Sequence, residues 1–162
     1  MMASKEQFAL LKHFQWKEFR HPESMDAAFL SFLDDVRAGY GWPLNVTSDF
    51  RTPEENTAAG GVADSRHLVG QAVDVAFPPT ANHLWLLVEA IFKYRRAAPI
   101  ELELVDGLSA KALAQNTLSR LRHELKREPT AQELADGIHV DQHVHVAWKR
   151  PGQASALIVA AD

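Results

Sequence analysis

Apolar residues recur at helical spacing in two stretches of the chain, and each stretch is expected to form a helix with one face against a core. The first helix is predicted from Met25 to about Ala38, with Ser24 as its N-cap. The second is predicted from about Asn82 to Arg95. The core-facing positions are Phe29, Phe32, Leu33 and Val36 on the first helix, and Leu84, Leu87, Val88 and Ile91 on the second.

Capping boxes mark two further helix starts. Thr52-Pro53-Glu54-Glu55 combines a threonine cap, a proline at the first helical position and a glutamate that can return a bond to the cap. The sequence from Thr130 to Glu133 has the same cap and glutamate. Residues 109–136 as a whole predict a pair of helices, which we interpret as an inserted helical hairpin over one edge of the functional site.

Period-two alternation predicts the strands. In Ala72–Phe77, Val73 and Val75 point to one face and Asp74 to the other. In a second segment His139, Asp141, His143 and His145 would share a face, with Val140, Gln142, Val144 and Val146 opposite. Pro43–Thr47 and Ile100–Leu104 also read as strands, and the last residues as a tail or an edge strand. The pattern predicts an α+β fold with a small, mainly antiparallel sheet, helices packed on one side, and a single domain over residues 1–162.

Composition narrows the classes of function. The formal charge of −4 gives no reason to expect a nucleic acid or an anionic membrane as partner. No apolar run is long enough for a membrane span, and the first residues lack the apolar core of a signal peptide, so we expect a protein that is cytoplasmic as synthesised. The chain has no cysteine, so any metal site must use histidine and carboxylate.

The segment from Ser65 to Asp74 carries the candidate chemistry. Asp74 is flanked on its own face by two alanines, which leaves room for an ion, and His67 precedes a turn at Gly70 that can fold it back over the strand. Neutral imidazole and carboxylate are the usual nitrogen and oxygen ligands of zinc. With the histidines of the later segment, two strands would each present ligands on one face, which predicts a metal site between them.

These residues also carry a family resemblance. The pattern Ser65-x-His67-x-x-Gly70-x-Ala72-x-Asp74, followed by His143-Val144-His145, resembles the zinc D-alanyl-D-alanine carboxypeptidase and endopeptidase family. The stretch Thr47–Glu54 is similar to the Thr-Ser-Gly-Tyr-Arg region of that family, and the resemblance covers most of residues 14–78 and 138–151. The family cleaves bacterial cell-wall peptides, includes phage endolysins and shares its fold with the hedgehog signalling domain.

The resemblance implies a site and a reaction. It implies one Zn²⁺ held by His67, Asp74 and His145, with Arg51 and Ser65, which lies close to the site, as substrate-binding residues. The implied activity is zinc-dependent hydrolysis of an amide bond in a peptidoglycan stem peptide, by a D,D- or L,D-carboxypeptidase or endopeptidase. A protein of this kind without an export signal would resemble phage or prophage lysis enzymes, which reach the wall through a membrane pore.

The general base is where the chain departs from its relatives. Many of them carry an acidic residue three positions before the last histidine ligand, and here that residue is Gln142, which cannot accept a proton in this way. Asp141 and His143 share the face of His145, so we rank Asp141 first as base. His143 is second, as an oxyanion stabiliser or proton donor, and His139 could also reach.

Two alternatives stay open at the level of sequence. The first is a non-catalytic, metal-stabilised binding module of hedgehog-like fold, which a closed sphere of four ligands including His139 or His143 would favour. The second is an interaction domain without metal, in which the helical hairpin of residues 109–136 is the working part.

Overall fold

Five strands form one mixed sheet in the computed structural model, which describes residues 1–106, 110–137 and 142–160. In chain order they are β1 (Val46–Ser48), β2 (Ala72–Ala76), β3 (Ile100–Asp106), β4 (Gln142–Trp148) and β5 (Ala156–Ala160). Across the sheet the order is β1-β2-β4-β3-β5. Only β3 and β5 pair in parallel among the described strands. The prediction of an α+β fold with a mainly antiparallel sheet is therefore confirmed, with a parallel edge that alternation did not predict.

Six α-helices surround the sheet in the described part of the chain. They are α1 (Lys5–Phe8), α2 (Ala27–Tyr40), α3 (Pro53–Ala58), α4 (Ala81–Tyr94), α5 (Ala110–Leu125) and α6 (Ala131–Gly137), with 3₁₀ turns at Trp16–Glu18, Pro22–Ser24 and Arg66–Val69. Helix α3 begins with the predicted capping box of Thr52 and Glu55. The predicted helix pair of residues 109–136 corresponds to α5 and α6, and the second box forms between Thr130 and Glu133. No helix among these is long and apolar enough to cross a membrane.

The predicted cap of α2 is wrong. Ser24 closes a 3₁₀ turn, its N–H donating to the carbonyl of His21, and α2 starts two residues later than predicted. The N-cap is Asp26, whose carboxylate accepts a hydrogen bond of 2.9 Å from the N–H of Phe29. At the other end Gly41 terminates the helix in the left-handed region, with φ of 77°.

The core lies between the sheet and the two long helices α2 and α4. The four apolar residues predicted on α2 are all buried, and on α4 Leu87, Val88 and Ile91 are buried while Leu84 is partly buried. The sheet contributes Val73, Val75, Ile100, Leu102, Leu104, Val144 and Val146. From the amino-terminal arm Phe14 and Phe19 are buried and Trp16 packs against the same cluster. The valines that alternation predicted to share the apolar faces of β2 and β4 thus all lie in the core.

The opposite face of the sheet carries the polar residues. Strand β4 lies between β2 and β3, so that His145 is the register partner of Asp74 on one side and of Glu103 on the other. Helices α3 and α5 contact each other on this side, where the Ser119 hydroxyl donates to the carbonyl of Thr57 at 3.1 Å. Together with the sheet they enclose a cleft of about 1360 Å³.

Candidate metal centre

Three side chains from two distant parts of the chain meet at the floor of this cleft. The ligand atoms of His67, Asp74 and His145 all lie within 4.8 Å of one another, the only such cluster of histidine and acidic residues in the described ranges. Asp74 Oδ1 is 2.9 Å from His145 Nδ1 and 3.3 Å from His67 Nε2. His67 and Asp74 are buried and His145 is partly buried. The structure therefore brings together the three residues predicted as ligands, whose role as ligands stays a prediction.

The 3₁₀ turn Arg66–Val69 holds His67 over β2. The Ser65 hydroxyl accepts a hydrogen bond of 3.4 Å from the N–H of His67 at the start of the turn. Gly70 ends it with φ of 68°, and its carbonyl accepts from the N–H of Asp26 at 3.0 Å. A Cβ at Gly70 would lie only 2.3 Å from the carbonyl oxygen of Ser24, so the close approach requires glycine. Ser65, predicted to bind substrate, lines the cleft and also caps this turn.

The orientation of the His67 ring is set by the backbone. Its Nδ1 lies 2.6 Å from the carbonyl oxygen of Asp49, which can only accept, so Nδ1 carries the proton. In a neutral ring the lone pair is then on Nε2, the atom that faces Asp74. A hydrogen bond from the second ring nitrogen to a carbonyl is typical of metal-bound histidine. The Asp49 carboxylate is itself tied to the N–H groups of Arg20 and His21, at 2.7 and 2.9 Å.

Arg51 contacts the candidate ligand Asp74 directly. Its Nη2 donates to Asp74 Oδ2 at 2.7 Å and its Nε donates to the Ser48 hydroxyl at 3.0 Å. Burial raises the pKa of Asp74, but the contacts with His145 and His67 outweigh it and hold the pKa well below its usual range. The carboxylate is therefore ionised and ready to bind a cation. The predicted substrate role of Arg51 is compatible with this position, because the residue also lines the cleft.

His145 has a carboxylate on each side of its ring. Nδ1 faces Asp74, and Nε2 lies 3.5 Å from Glu101 Oε1. Burial lowers the pKa of His145, but the contacts with Asp74 and then Glu101 raise it to about 9 as long as no cation shares the site. Glu101 lies on the polar face of β3, and only the pairing of β3 with β4 brings it to His145.

The residues predicted to move protons are only partly described. His143 lies on the same face as His145, with Nε2 3.9 Å from Asp74 Oδ1. Gln142 opens β4 and is exposed. Asp141 and His139 lie outside the described residues.

The donor set fits a metal ion. Two imidazole nitrogens and one carboxylate converge, two of the three residues are buried, and one histidine already has its second nitrogen engaged. Catalytic zinc is typically held by three protein ligands with an open position, whereas structural zinc is closed by four. The described cluster has three members and opens into the cleft, whose lining includes all of them.

The comparison with protein families agrees with this geometry. The model of the Peptidase M15 family matches residues 9–95, which is more than half of the chain and contains Arg51, Ser65, His67 and Asp74. His145 lies beyond the matched residues, and the sheet register places it beside Asp74. No curated protein matches the chain. The matched segment shows that the chain belongs to the Peptidase M15 family, and its general function is that of a peptidase with a site suited to a metal ion.

Proposed function

We propose that the protein is a zinc-dependent peptidase that hydrolyses an amide bond in peptidoglycan stem peptides. The observation that carries this proposal is the cluster of His67, Asp74 and His145 at the floor of an open cleft in a chain of the Peptidase M15 family. Among the described residues the cluster has three members, and three protein ligands are typical of a reactive zinc site, not a structural one.

The described residues have distinct parts in this proposal. His67 Nε2, Asp74 and His145 Nδ1 would hold the zinc ion, which when bound polarises the scissile carbonyl and activates water near neutral pH. Arg51 keeps Asp74 in place through Nη2, and its remaining N–H donors can hold a substrate carboxylate bidentately. Held in this way, the substrate would present its amide bond to the reacting water at little further entropic cost.

Asp141 is our first proposal for the general base and His143 the second. A base must come within about 3 Å of the attacking water, so it must project from the ligand-bearing face of the sheet. His143 meets this condition, because its ring approaches Asp74 from the neighbouring strand. A carboxylate at Asp141, beside a cation, would stay ionised and could orient the water.

Cations in the cleft support an acidic peptide as substrate. Arg66, Lys149 and Arg150 line the same cleft as the cluster. Arg66 donates to the carbonyl of Trp148 at 2.9 Å and to Gln71, and no carboxylate lies within ion-pair distance of it among the described residues. Burial lowers the pKa of Arg66, and repulsion from Arg150 adds to this. An anionic ligand would relieve that repulsion, and stem peptides carry free carboxylates.

The test is digestion of isolated murein by the purified, zinc-loaded protein. We expect mass spectrometry to detect released stem-peptide fragments, and folded proteins to stay intact under the same conditions. Asp74→Ala, prepared in parallel, should release nothing and thereby excludes a contaminating hydrolase. A zinc-loaded protein that leaves murein unchanged would refute the proposal. If murein is cut, we propose that the protein is a phage or prophage lysis enzyme, which is cytoplasmic as synthesised and crosses the membrane through a pore.

One observation favours the non-catalytic binding module as a second candidate. His143 Nε2 lies 3.9 Å from Asp74 Oδ1, near enough that a small shift could make it a fourth ligand. A crystal structure of the zinc-loaded protein distinguishes the two, because it shows whether His143 or water holds the fourth position. Four protein ligands together with inert murein would support the binding module.

A further inference from the structure

The ring of His145 is held between two acidic residues that come from different strands. Asp74 approaches Nδ1 from β2 at 2.9 Å, and Glu101 approaches Nε2 from β3 at 3.5 Å. Glu101 is the register partner of Ala147, so its side chain reaches diagonally along the strand to His145. Glu103, the direct register partner of His145, has no ion pair with it in the described structure.

This arrangement determines which nitrogen of His145 is available to a cation. A neutral imidazole has one nitrogen with a lone pair and one with a proton. When Nδ1, the atom that faces Asp74, binds a cation, Nε2 must carry the proton, and the Glu101 carboxylate beside Nε2 favours that tautomer. His67 has the opposite arrangement, since its Nδ1 is protonated against the carbonyl of Asp49. The two histidines therefore need an acceptor at different ring nitrogens, at Nδ1 in His67 and at Nε2 in His145.

We propose that Glu101 is the positioning residue of the metal centre, which selects the Nε2–H tautomer of His145 and aims Nδ1 at the metal ion. The proposal rests on the proposed metal site and extends it to a residue outside the ligand set. Glu101 contacts the ring on the side away from Asp74, so its effect on the metal ion passes through His145. Second-sphere carboxylates of this kind typically change metal affinity by about 10- to 100-fold.

The decisive measurement is zinc affinity, by competition with a chromophoric chelator in the absence of substrate. We expect Glu101→Ala to bind zinc at least about tenfold more weakly than the unchanged protein. Glu101→Gln, which keeps an acceptor oxygen but not the charge, should lose less. Glu103→Ala is the matched control: it removes the same charge from the same strand and face but no ion pair with His145, and should stay close to the unchanged protein.

Imidazole nitrogen NMR of the folded protein gives a second readout, which reports the tautomer of His145 itself. In the zinc-loaded protein we expect the His145 signals of a metal-bound Nδ1 and a protonated Nε2, and in Glu101→Ala a loss of that single pattern. Unchanged zinc affinity in Glu101→Ala, or an equal loss in Glu103→Ala, would overturn the proposal. Because neither measurement uses a peptide, a protein that binds zinc as expected but leaves murein intact would refute the peptidase function alone.

Discussion

Replacing Gly70 by alanine tests whether the backbone of one turn determines the metal centre. Gly70 has φ of 68°, and a Cβ there would lie 2.3 Å from the Ser24 carbonyl oxygen and 2.8 Å from both Met25 Cα and Asp26 N. These are backbone atoms beside the start of α2, so they cannot swing away as a side chain can. The change should therefore displace the turn that carries His67.

Gly41→Ala provides the matched control, because Gly41 has φ of 77° and nothing within 4 Å of the added Cβ. Both variants incur the cost of a left-handed L-residue, about 1–2 kcal/mol. Only Gly70→Ala must in addition relieve three contacts below 3.0 Å and strain the hydrogen bond from Asp26 N to the Gly70 carbonyl. Adding the about 1–3 kcal/mol typical of overpacked sites to that strain, we expect a total loss of about 3 kcal/mol or more for Gly70→Ala.

Thermal unfolding and zinc affinity, measured together, read out this difference. At this chain length 1 kcal/mol corresponds to about 2–4 °C, so Gly41→Ala should unfold a few degrees lower and Gly70→Ala about 6 °C lower or more. Zinc affinity should fall only in Gly70→Ala, since only that turn positions His67. Equal melting shifts in the two variants, or wild-type zinc affinity in Gly70→Ala, would refute the reasoning.

Four further predictions concern the site itself. His145→Ala should lose tightly held zinc, and full zinc content in metal analysis would contradict its assignment as ligand. Because the pKa of His145 is raised to about 9, a proton competes with the metal ion for this ring below that pH. Zinc titrations from about pH 8 down to about pH 6 should therefore show the affinity falling by about tenfold per pH unit, and a flat profile would contradict this. Asp141→Asn or His143→Gln should lower turnover on murein while zinc stays bound; wild-type turnover in both would mean that the base lies elsewhere. Arg51→Ala should reduce kcat/KM by about 10²-fold; because the change also removes the Nη2 contact with Asp74, zinc content is measured in parallel, and a fully active variant, or one that fails only through lost zinc, would contradict a substrate role.

Local patterns in the sequence predicted the elements and their faces. The capping box at Thr52, the apolar stripe of α2 and the alternation of β2 and β4 depend on interactions within a few residues, so they can be read without the fold. The same alternation correctly places Asp74 and His145 on the polar faces of their strands. It does not say which strands are neighbours.

Only the tertiary structure decided what surrounds the candidate ligands. Insertion of β4 between β2 and β3 places Glu101 beside His145, and the fold of the loop after β1 brings the Asp49 carbonyl to His67. The N-cap of α2 is also Asp26 and not the predicted Ser24, and the Asp26 N–H donates to the carbonyl of Gly70. Such contacts join residues far apart in the chain, and they form in the arrangement that buries the whole core most favourably. Periodicity within one segment carries no information about how the segments pack together.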